Sequence, residues 1–196
     1  MANTKTPLEA DKIFHIYNHA VGKDNFFNSS ENYSFFLLKL KEYLQNYIDI
    51  YAYCLMPNHF HFVIKVKSEK IVLNEFVRPT RFSKPRRSDI AVPNIISRQF
   101  SHFFNSYAKA YNKENNRMGS LFKNRFNREP IEDEIYLKKA IIYTHKNPVE
   151  ADFVKIASEW KFSSYNSIIS KKETLLKRSE VIDLFEDIEN FIFCHR

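Results

Sequence analysis

The alternation of residues 59–64 constrains the fold of this chain more than any other feature of its sequence. The segment reads His-Phe-His-Phe-Val-Ile and follows a Met-Pro-Asn bend. Because neighbouring side chains of a β-strand point to opposite faces of its sheet, His59 and His61 share one face and Phe60 and Phe62 the other. The sequence therefore predicts a sheet with one apolar face to bury and a second face that carries a pair of imidazoles.

The other segments follow strand or helix patterns in a mixed order. Strands are predicted within residues 12–21 and for two runs within 48–66. Helices are predicted for 33–47, with Asn28 as a possible cap, and for 94–112, 133–147 and 179–193. Asp133 is the predicted N-cap of its helix, and Pro148 is expected to end that helix near His145 to Asn147. This order predicts an α+β fold, with a small antiparallel sheet and helices packed on its faces.

Composition limits the class of protein and its location. With 196 residues, 44% of them hydrophobic, the chain suits one domain of ordinary size and is neither collagen-like nor disordered. No run approaches eighteen apolar residues, so we expect no membrane span. Two cysteines, Cys54 and Cys194, are too few for a disulfide framework, and the first residues lack an apolar signal core. We therefore expect a cytoplasmic protein.

Three regions are predicted along the chain. Residues 1–11 are expected to be a flexible N-terminus, 12–165 the main domain, and 166–196 a C-terminal helical extension. Residues 67–93 are polar and basic and contain three prolines, which indicates a basic loop or insertion within the main domain.

Positive charge is concentrated in the middle third of the chain. Residues 65–128 hold 15 Lys and Arg against 4 Asp and Glu, whereas the remainder holds 15 against 19. A local excess of this kind is typical of a protein that binds a polyanion such as nucleic acid. A solvated basic loop would give the same excess, so charge alone leaves both interpretations open.

Basic side chains also alternate with Phe122 and Phe126, a pattern that suits phosphate contact together with base stacking. The four candidate DNA-binding residues of this stretch are Arg117, Lys123, Arg125 and Arg128. A second basic run lacks the regular aromatic spacing and could equally be a solvated loop; it contains Arg78, Arg81, Arg86 and Arg87.

Two constellations could carry chemistry. His59 and His61 lie about 7 Å apart at Cα in a strand and can converge on one metal ion, or they can line a polar face without one. Tyr143 and Asn147 lie one turn apart on a helix, so a tyrosine nucleophile could stand beside an amide ligand. Tyr143 could also belong to a core stripe of the helix. His145 is expected to be exposed rather than catalytic.

These residues together resemble the HUH-type single-tyrosine transposases, which include insertion-sequence transposases and REP-associated tyrosine transposases. The resemblance rests on LMPNHFHFVI combined with YTHKNPVEADFV, and extends to IFHIYNHAVGKDNFF, ISRQFSHFFNSYAKAYNK, NRMGSLFKNRF and FSSY. It covers roughly residues 12–165. The pairing of MPNHFH with Tyr-x-x-x-Asn-Pro is more specific than either motif alone.

The resemblance implies a fold, a partner and a set of roles. The fold would have a ferredoxin-like or RRM-like core. His59, His61 and Asn147 would bind Mg²⁺ or Mn²⁺, and Tyr143 would be the nucleophile that cuts single-stranded DNA near a hairpin through a 5′-phosphotyrosine intermediate. Family members include dimers and monomers, so a homodimer is compatible with the resemblance.

Three functions remain open on the sequence. The first is an active DNA strand transferase with the roles given above. The second is a relative that binds hairpin DNA or RNA without cutting it. The third is a metal-dependent phosphodiesterase that uses water and would survive the loss of Tyr143.

Overall fold

The computed structural model of the chain describes residues 4–77, 91–123 and 125–196. Its elements follow the order β1 (Ile13–His19), α1 (Ser30–Leu44), β2 (Ile48–Met56), β3 (His59–Val66), α2 (Glu69–Val77), α3 (Val92–Glu114), β4 (Asn127–Ile131), α4 (Glu134–Glu150), a 3₁₀ turn at Ala157–Glu159, α5 (Tyr165–Ile169), α6 (Arg178–Leu184) and α7 (Ile188–Cys194). The α+β class predicted from the sequence is confirmed.

The four strands form one antiparallel sheet in the order β2-β3-β1-β4. β2 and β3 are joined by the tight turn at Pro57-Asn58, and β1 inserts on the far side of β3. The connection from β1 through α1 to β2 therefore spans one intervening strand, as in the split βαβ arrangement of ferredoxin-like folds. This topology places β1 and β3 side by side at the centre of the sheet.

One face of the sheet is apolar and is covered by α1 and α3. Phe60 and Phe62 from β3 are fully buried there, and they pack against Phe36 of α1 and Phe104 of α3. An aromatic core between two helices and the sheet therefore accounts for part of the 19 phenylalanines of the chain. The predicted division of β3 into an apolar face and a histidine face is confirmed.

The opposite face is covered in part by α4. Asp133 caps this helix as predicted, since its side chain accepts a hydrogen bond from Tyr136 N–H at 2.7 Å. The prediction that Pro148 ends the helix is wrong, because α4 continues to Glu150. A proline removes only its own N–H from the ladder, and Ala151 N–H still reaches the Asn147 carbonyl at 3.0 Å.

Other local expectations also differ from the structure. Part of the segment predicted as a loop forms α2, and its later residues lie outside the described ranges. The strand β4 was not predicted, because Asn-Arg-Glu-Pro-Ile is polar and contains a proline. Such a sequence is tolerated at the edge of a sheet, which is where β4 lies.

The chain after α4 returns to the sheet and then packs on α4. The Leu55 N–H donates to the Phe162 carbonyl at 3.0 Å and the Ser164 N–H to the Tyr53 carbonyl at 2.8 Å, so the FSSY segment pairs with the free edge of β2. The prediction of one C-terminal helix over residues 179–193 is wrong. The segment forms two helices, α6 and α7, separated at Glu186, whose φ is 75°.

The N-terminal segment contacts the core, since Leu8 is fully buried and the Asp11 N–H donates to the Val66 carbonyl at 3.0 Å. The division of the chain into three regions stays a prediction. Within the described ranges, no helix combines the length and the apolar character needed to cross a membrane.

Candidate active site

Four histidines meet on the face of the sheet that α4 partly covers. The antiparallel register of β1 and β3 places His19 opposite His59 and Tyr17 opposite His61. Because strand side chains alternate, His15 lies on this face as well. The rings of His19 and His59 stack with centroids 4.9 Å apart, and those of His15 and His61 with centroids 5.1 Å apart.

The helix α4 brings the two predicted helical residues onto the same face. The Tyr143 ring meets the His61 ring edge-on, with centroids 5.4 Å apart. One turn later, Asn147 Oδ1 lies 2.8 Å from His59 Nε2. The structure thus brings together all four residues singled out by the MPNHFH and Tyr-x-x-x-Asn-Pro motifs.

Tyr143 is accessible but not acidified by its surroundings. Its side chain is 41% exposed, which leaves it open to a bound strand. Burial of the remainder raises the pKa of its hydroxyl, with a further increase from the Glu150 charge, while Asn147 acts in the opposite direction. Tyr143 is therefore protonated at neutral pH, and any nucleophilic role requires that its proton be removed during the reaction.

The His59 ring is placed between two amide oxygens. Asn58 Oδ1 lies 2.8 Å from Nδ1 and Asn147 Oδ1 lies 2.8 Å from Nε2. Burial lowers the pKa of His59, so the ring is neutral and carries one N–H. Only one ring nitrogen can donate to its amide oxygen, so the other directs its lone pair at an oxygen. This repulsion is relieved if that amide rotates to present its NH₂ group, or if a cation lies between the nitrogen and the oxygen.

His61 is oriented by His15 of the neighbouring strand β1. His15 Nε2 lies 3.0 Å from His61 Nδ1. Burial lowers the pKa of His15 to about 4 and that of His61 well below its usual value, so both rings are neutral and share one proton along this contact. With Nδ1 engaged by His15, the free nitrogen of His61 is Nε2.

A carboxylate from β4 completes the pocket. The Tyr17 hydroxyl donates to Glu129 Oε1 at 2.8 Å, and burial together with this bond raises the pKa of Tyr17 to about 12. The pocket has a volume of about 420 Å³ and is lined by His15, Tyr17, His19, His59, His61, Glu129, Tyr136, Lys139, Ala140, Tyr143 and Asn147. The sequence analysis did not identify Glu129, because β4 was not predicted.

The donor set fits a divalent cation through nitrogen and amide ligands. No cluster of three or more His, Cys, Asp or Glu side chains suited to a metal occurs within residues 4–77, 91–123 and 125–196. The candidate set is instead the two imidazoles with the Asn147 oxygen. Neighbouring ligands of an octahedral ion at about 2.1 Å lie about 3 Å apart, close to the observed 2.8 Å between His59 Nε2 and Asn147 Oδ1.

The predicted basic residues divide into exposed and structural ones. Lys123 and Arg125 are exposed. Arg117 pairs with Asp24 and donates to the Ser120 carbonyl at 2.8 Å, so it fastens the loop between α3 and β4. Arg128 is 7% exposed and donates to Ser97 Oγ at 3.0 Å. The second basic run, Arg78, Arg81, Arg86 and Arg87, lies outside the described residues.

Two further expectations are overturned. Phe122 and Phe126 are buried among the core aromatics and cannot stack on bases. His145, expected to be exposed, is fully buried. Its Nδ1 lies 2.9 Å from His195 Nε2 and its Nε2 lies 2.7 Å from Ser164 Oγ. Neither burial could be anticipated without knowing which elements pack on which face.

Comparison with known proteins gives a likeness of fold. No family model matches the chain, and no curated protein is significantly similar to it in sequence. Among solved structures, the chain is similar to a REP-associated tyrosine transposase bound to a REP hairpin, with a TM-score of 0.61 and 14% identity. The match covers 87% of both chains. At this identity, the comparison shows that the two proteins share a fold over most of their length.

Proposed function

We propose that this protein is a metal-dependent, single-tyrosine DNA strand transferase that cuts single-stranded DNA near a hairpin. The observation that carries the proposal is the convergence of Tyr143, His59, His61 and Asn147 around one open pocket, although they come from two elements far apart in sequence. The structural neighbour was solved with a REP hairpin, which supports hairpin DNA as the partner.

Tyr143 is the proposed nucleophile. The Tyr143 hydroxyl gives up its proton to solvent as its oxygen attacks the scissile phosphorus; the phosphorus–O3′ bond breaks, and the released 3′ oxygen takes up a proton from solvent. The 5′ phosphate stays on Tyr143 as a phosphotyrosine, and attack by a 3′-hydroxyl in the reverse sense rejoins a strand. Because the phosphotyrosine conserves the bond energy, no nucleotide cofactor is consumed.

His59, His61 and Asn147 are the proposed ligands of Mg²⁺ or Mn²⁺. Such an ion, when bound, neutralises charge on the phosphate and holds it in line with the nucleophile. Asn58 and His15 fix the two imidazoles by engaging their Nδ1 atoms. Lys139 lines the same pocket and adds positive charge where the phosphate would enter.

A second candidate is a protein that binds hairpin DNA or RNA without cutting it. The structural neighbour is described as bound to a hairpin, and binding of this kind requires no nucleophile. The two candidates predict the same pocket and differ in whether a covalent adduct forms.

The test is formation of an adduct that resists denaturation. Single-stranded hairpin DNA from both flanks of the encoding gene is incubated with the protein and Mn²⁺ or Mg²⁺, and the mixture is separated under denaturing conditions. We expect an adduct with the wild type and with Tyr43→Phe, a tyrosine variant on α1 outside the pocket. We expect none with Tyr143→Phe or His59→Ala.

The other outcomes have definite meanings. Tight binding without adduct under either metal supports the non-cleaving function. Cleavage that survives Tyr143→Phe supports a hydrolase that uses water. An adduct that survives Tyr143→Phe but is lost in Tyr136→Phe would assign the nucleophile to the other exposed tyrosine of α4.

A further inference from the structure

A second cavity of the described residues lies away from the tyrosine pocket, between α3 and the β1–β4 edge of the sheet. It has a volume of about 830 Å³, and its lining contains the cations Lys5, Lys109, Arg125 and Arg128. None of the described residues that line it is an Asp or a Glu. Serine and asparagine side chains from the outer face of α3 provide the rest of its polar surface, including Ser97, Ser101 and Asn105. We call this cavity the α3 cleft.

Arg128 in this cleft is a buried cation without a partner of opposite charge. It is 7% exposed, and no carboxylate in the described part of the chain forms an ion pair with it. Its Nε is buried and has no hydrogen-bond partner among the described residues. Burial, with the nearby Arg125 charge, lowers its pKa to about 10, so the group stays charged at neutral pH. The guanidinium lies over the Phe126 ring, with Cζ 4.1 Å from the ring centroid, and this cation–π contact offsets part of the cost of burying the charge.

Asn18 adds a second unsatisfied donor to the same lining. Its Oδ1 accepts a hydrogen bond from the His19 N–H at 2.9 Å, which fixes the orientation of the amide. The Nδ2 group has no partner among the described atoms, and the residue is only 2% exposed. Both donors are buried in the wall of the cleft, so the cations that an anion in the cleft can contact are the exposed Lys109 and Arg125, and the nearby Arg128 charge adds to the positive potential there.

A line of hollows connects the cleft to the tyrosine pocket. His19 lines the tyrosine pocket and also a neighbouring hollow of about 710 Å³ that contains Lys123. That hollow shares Ser120 and Phe122 with the α3 cleft. The path therefore passes around the ends of the central strands, and each of the three hollows along it is lined by at least one Lys or Arg.

We propose that the α3 cleft binds the sugar–phosphate backbone of the DNA strand whose other part enters the tyrosine pocket. The inference rests on the proposed function for its choice of DNA. It assigns the strand a route from Tyr143 past Lys123 to Lys109 and Arg125, on the opposite side of the sheet from the histidines. Because the aromatic side chains of this region are buried, bases cannot stack on them. The cleft therefore binds the strand through phosphate contacts.

The test introduces a carboxylate into the cleft without disturbing the core. Ser101 is exposed on α3, and its hydroxyl donates to the Ser97 carbonyl at 2.9 Å. Ser34 is its match, since it is exposed on α1, donates to the Ser30 carbonyl at 3.2 Å and lines none of the hollows described here. Ser101→Glu and Ser34→Glu therefore make the same change of charge in the same helical setting.

Binding is measured by fluorescence anisotropy with a labelled DNA hairpin that carries a single-stranded tail, in EDTA, so that cleavage plays no part. We expect Ser101→Glu to weaken binding by roughly 10-fold or more at about 0.1 M salt, and Ser34→Glu by less than about 2-fold. We expect the double variant Lys109→Ala/Arg125→Ala to lower the slope of log K against log salt by about 0.7 for each cation removed. The double variant Lys171→Ala/Lys172→Ala, which removes the same charge elsewhere, should leave the slope close to that of the wild type.

Equal binding by Ser101→Glu and Ser34→Glu, or equal slopes for the two double variants, would overturn the inference and leave the proposed function standing. Absence of DNA binding by the wild type would overturn both. Inorganic phosphate serves as a further probe of the cleft. If Ser101→Glu abolishes phosphate binding but leaves DNA binding unchanged, the cleft holds a free phosphate and the assigned strand route is wrong.

Discussion

His15 Nε2 lies 3.0 Å from His61 Nδ1, so one proposed metal ligand is held by a third histidine from the neighbouring strand. The contact fixes the His61 ring and leaves its Nε2 for a ligand bond. Groups that hold a metal-binding histidine in this way commonly contribute 10- to 100-fold to metal affinity.

We therefore expect His15→Leu to weaken Mn²⁺ binding about 10-fold or more, while His15→Gln, which keeps a hydrogen-bonding group, retains part of the affinity. Isothermal titration with Mn²⁺ measures this without requiring cleavage. His102→Leu, on the exposed face of α3, is the matched control. Equal Mn²⁺ affinity in His15→Leu and wild type would mean that His15 packs against His61 without contributing to metal binding.

The sequence predicted which residues line the pocket on β3 and α4 better than it predicted their surroundings. Period-two alternation places His59 and His61 on one strand face, and a spacing of four places Tyr143 and Asn147 on one helix face, whereas the roles of these residues came from the resemblance to a known family. Neither source identified Glu129 or His15, because their placement in the pocket depends on the register between β1, β3 and β4. Register is a property of the assembled sheet and is set by pairings far apart in sequence.

The same distinction explains the errors in the fold. Asp187 accepts a hydrogen bond from the Asn190 N–H at 2.7 Å, so the sequence contains a local N-cap signal for α7 that the prediction of a single helix does not include. The burial of Phe122 and Arg128 had no such local signal. Both depend on how the segment around β4 packs against α3. Basic residues that alternate with aromatic ones give the same sequence pattern whether the aromatic side chains point outward or inward.

The buried pair His145 and His195 predicts acid sensitivity. Burial lowers the pKa of His195 from 6.5 to about 4 and that of His145 well below 6.5. Below pH 6.5 the unfolded chain therefore binds more protons than the folded one, which favours unfolding. The two histidines leave the free energy of unfolding undiminished above pH 6.5 and lower it as the pH falls toward their pKa values in the folded chain. Each histidine lowers the free energy of unfolding by up to about 1.4 kcal/mol per pH unit in that range.

Urea denaturation at pH values from 7 to 4 tests this expectation. His195→Leu should lower the free energy of unfolding at pH 7 by about 1–3 kcal/mol, because His145 Nδ1 loses its partner. It should also flatten the pH dependence, since one depressed histidine is removed. A slope identical to the wild type would place the acid sensitivity in the other buried histidines, His15 and His61.

Arg117 is expected to act on stability more than on DNA binding. It pairs with Asp24 and donates to Asn112 Oδ1 at 3.1 Å and to the Ser120 carbonyl at 2.8 Å. Arg117→Ala should therefore lower the free energy of unfolding by about 1–3 kcal/mol. Arg125→Ala removes the same charge from an exposed position and should change it by less than about 0.5 kcal/mol.

The two arginine variants should respond in the opposite order when DNA binding is measured. Arg125→Ala should weaken binding to the labelled hairpin more than Arg117→Ala, provided that binding is compared at a temperature where both variants are fully folded. The reverse order would mean that the Arg117 guanidinium leaves Asp24 to contact DNA, as the sequence pattern alone predicts.

Thr144 predicts a stabilising substitution directly beside the proposed nucleophile. The residue is fully buried on α4, and its hydroxyl has no hydrogen-bond partner among the described atoms. An unsatisfied buried hydroxyl costs about 1–3 kcal/mol, and valine has the same shape without it. We expect Thr144→Val to raise the free energy of unfolding by about 0.5–2 kcal/mol, measured by chemical denaturation.

Thr144→Ser separates the hydroxyl from the methyl group. It keeps the unsatisfied hydroxyl and deletes one buried methyl, so it should lower the free energy of unfolding by about 1 kcal/mol. If both variants are destabilised equally, the hydroxyl has a partner in solution. Since Tyr143 lines the pocket and Thr144 does not, Thr144→Val should leave the yield of the DNA adduct unchanged. A fall in that yield would show that packing beneath α4 controls the position of the tyrosine.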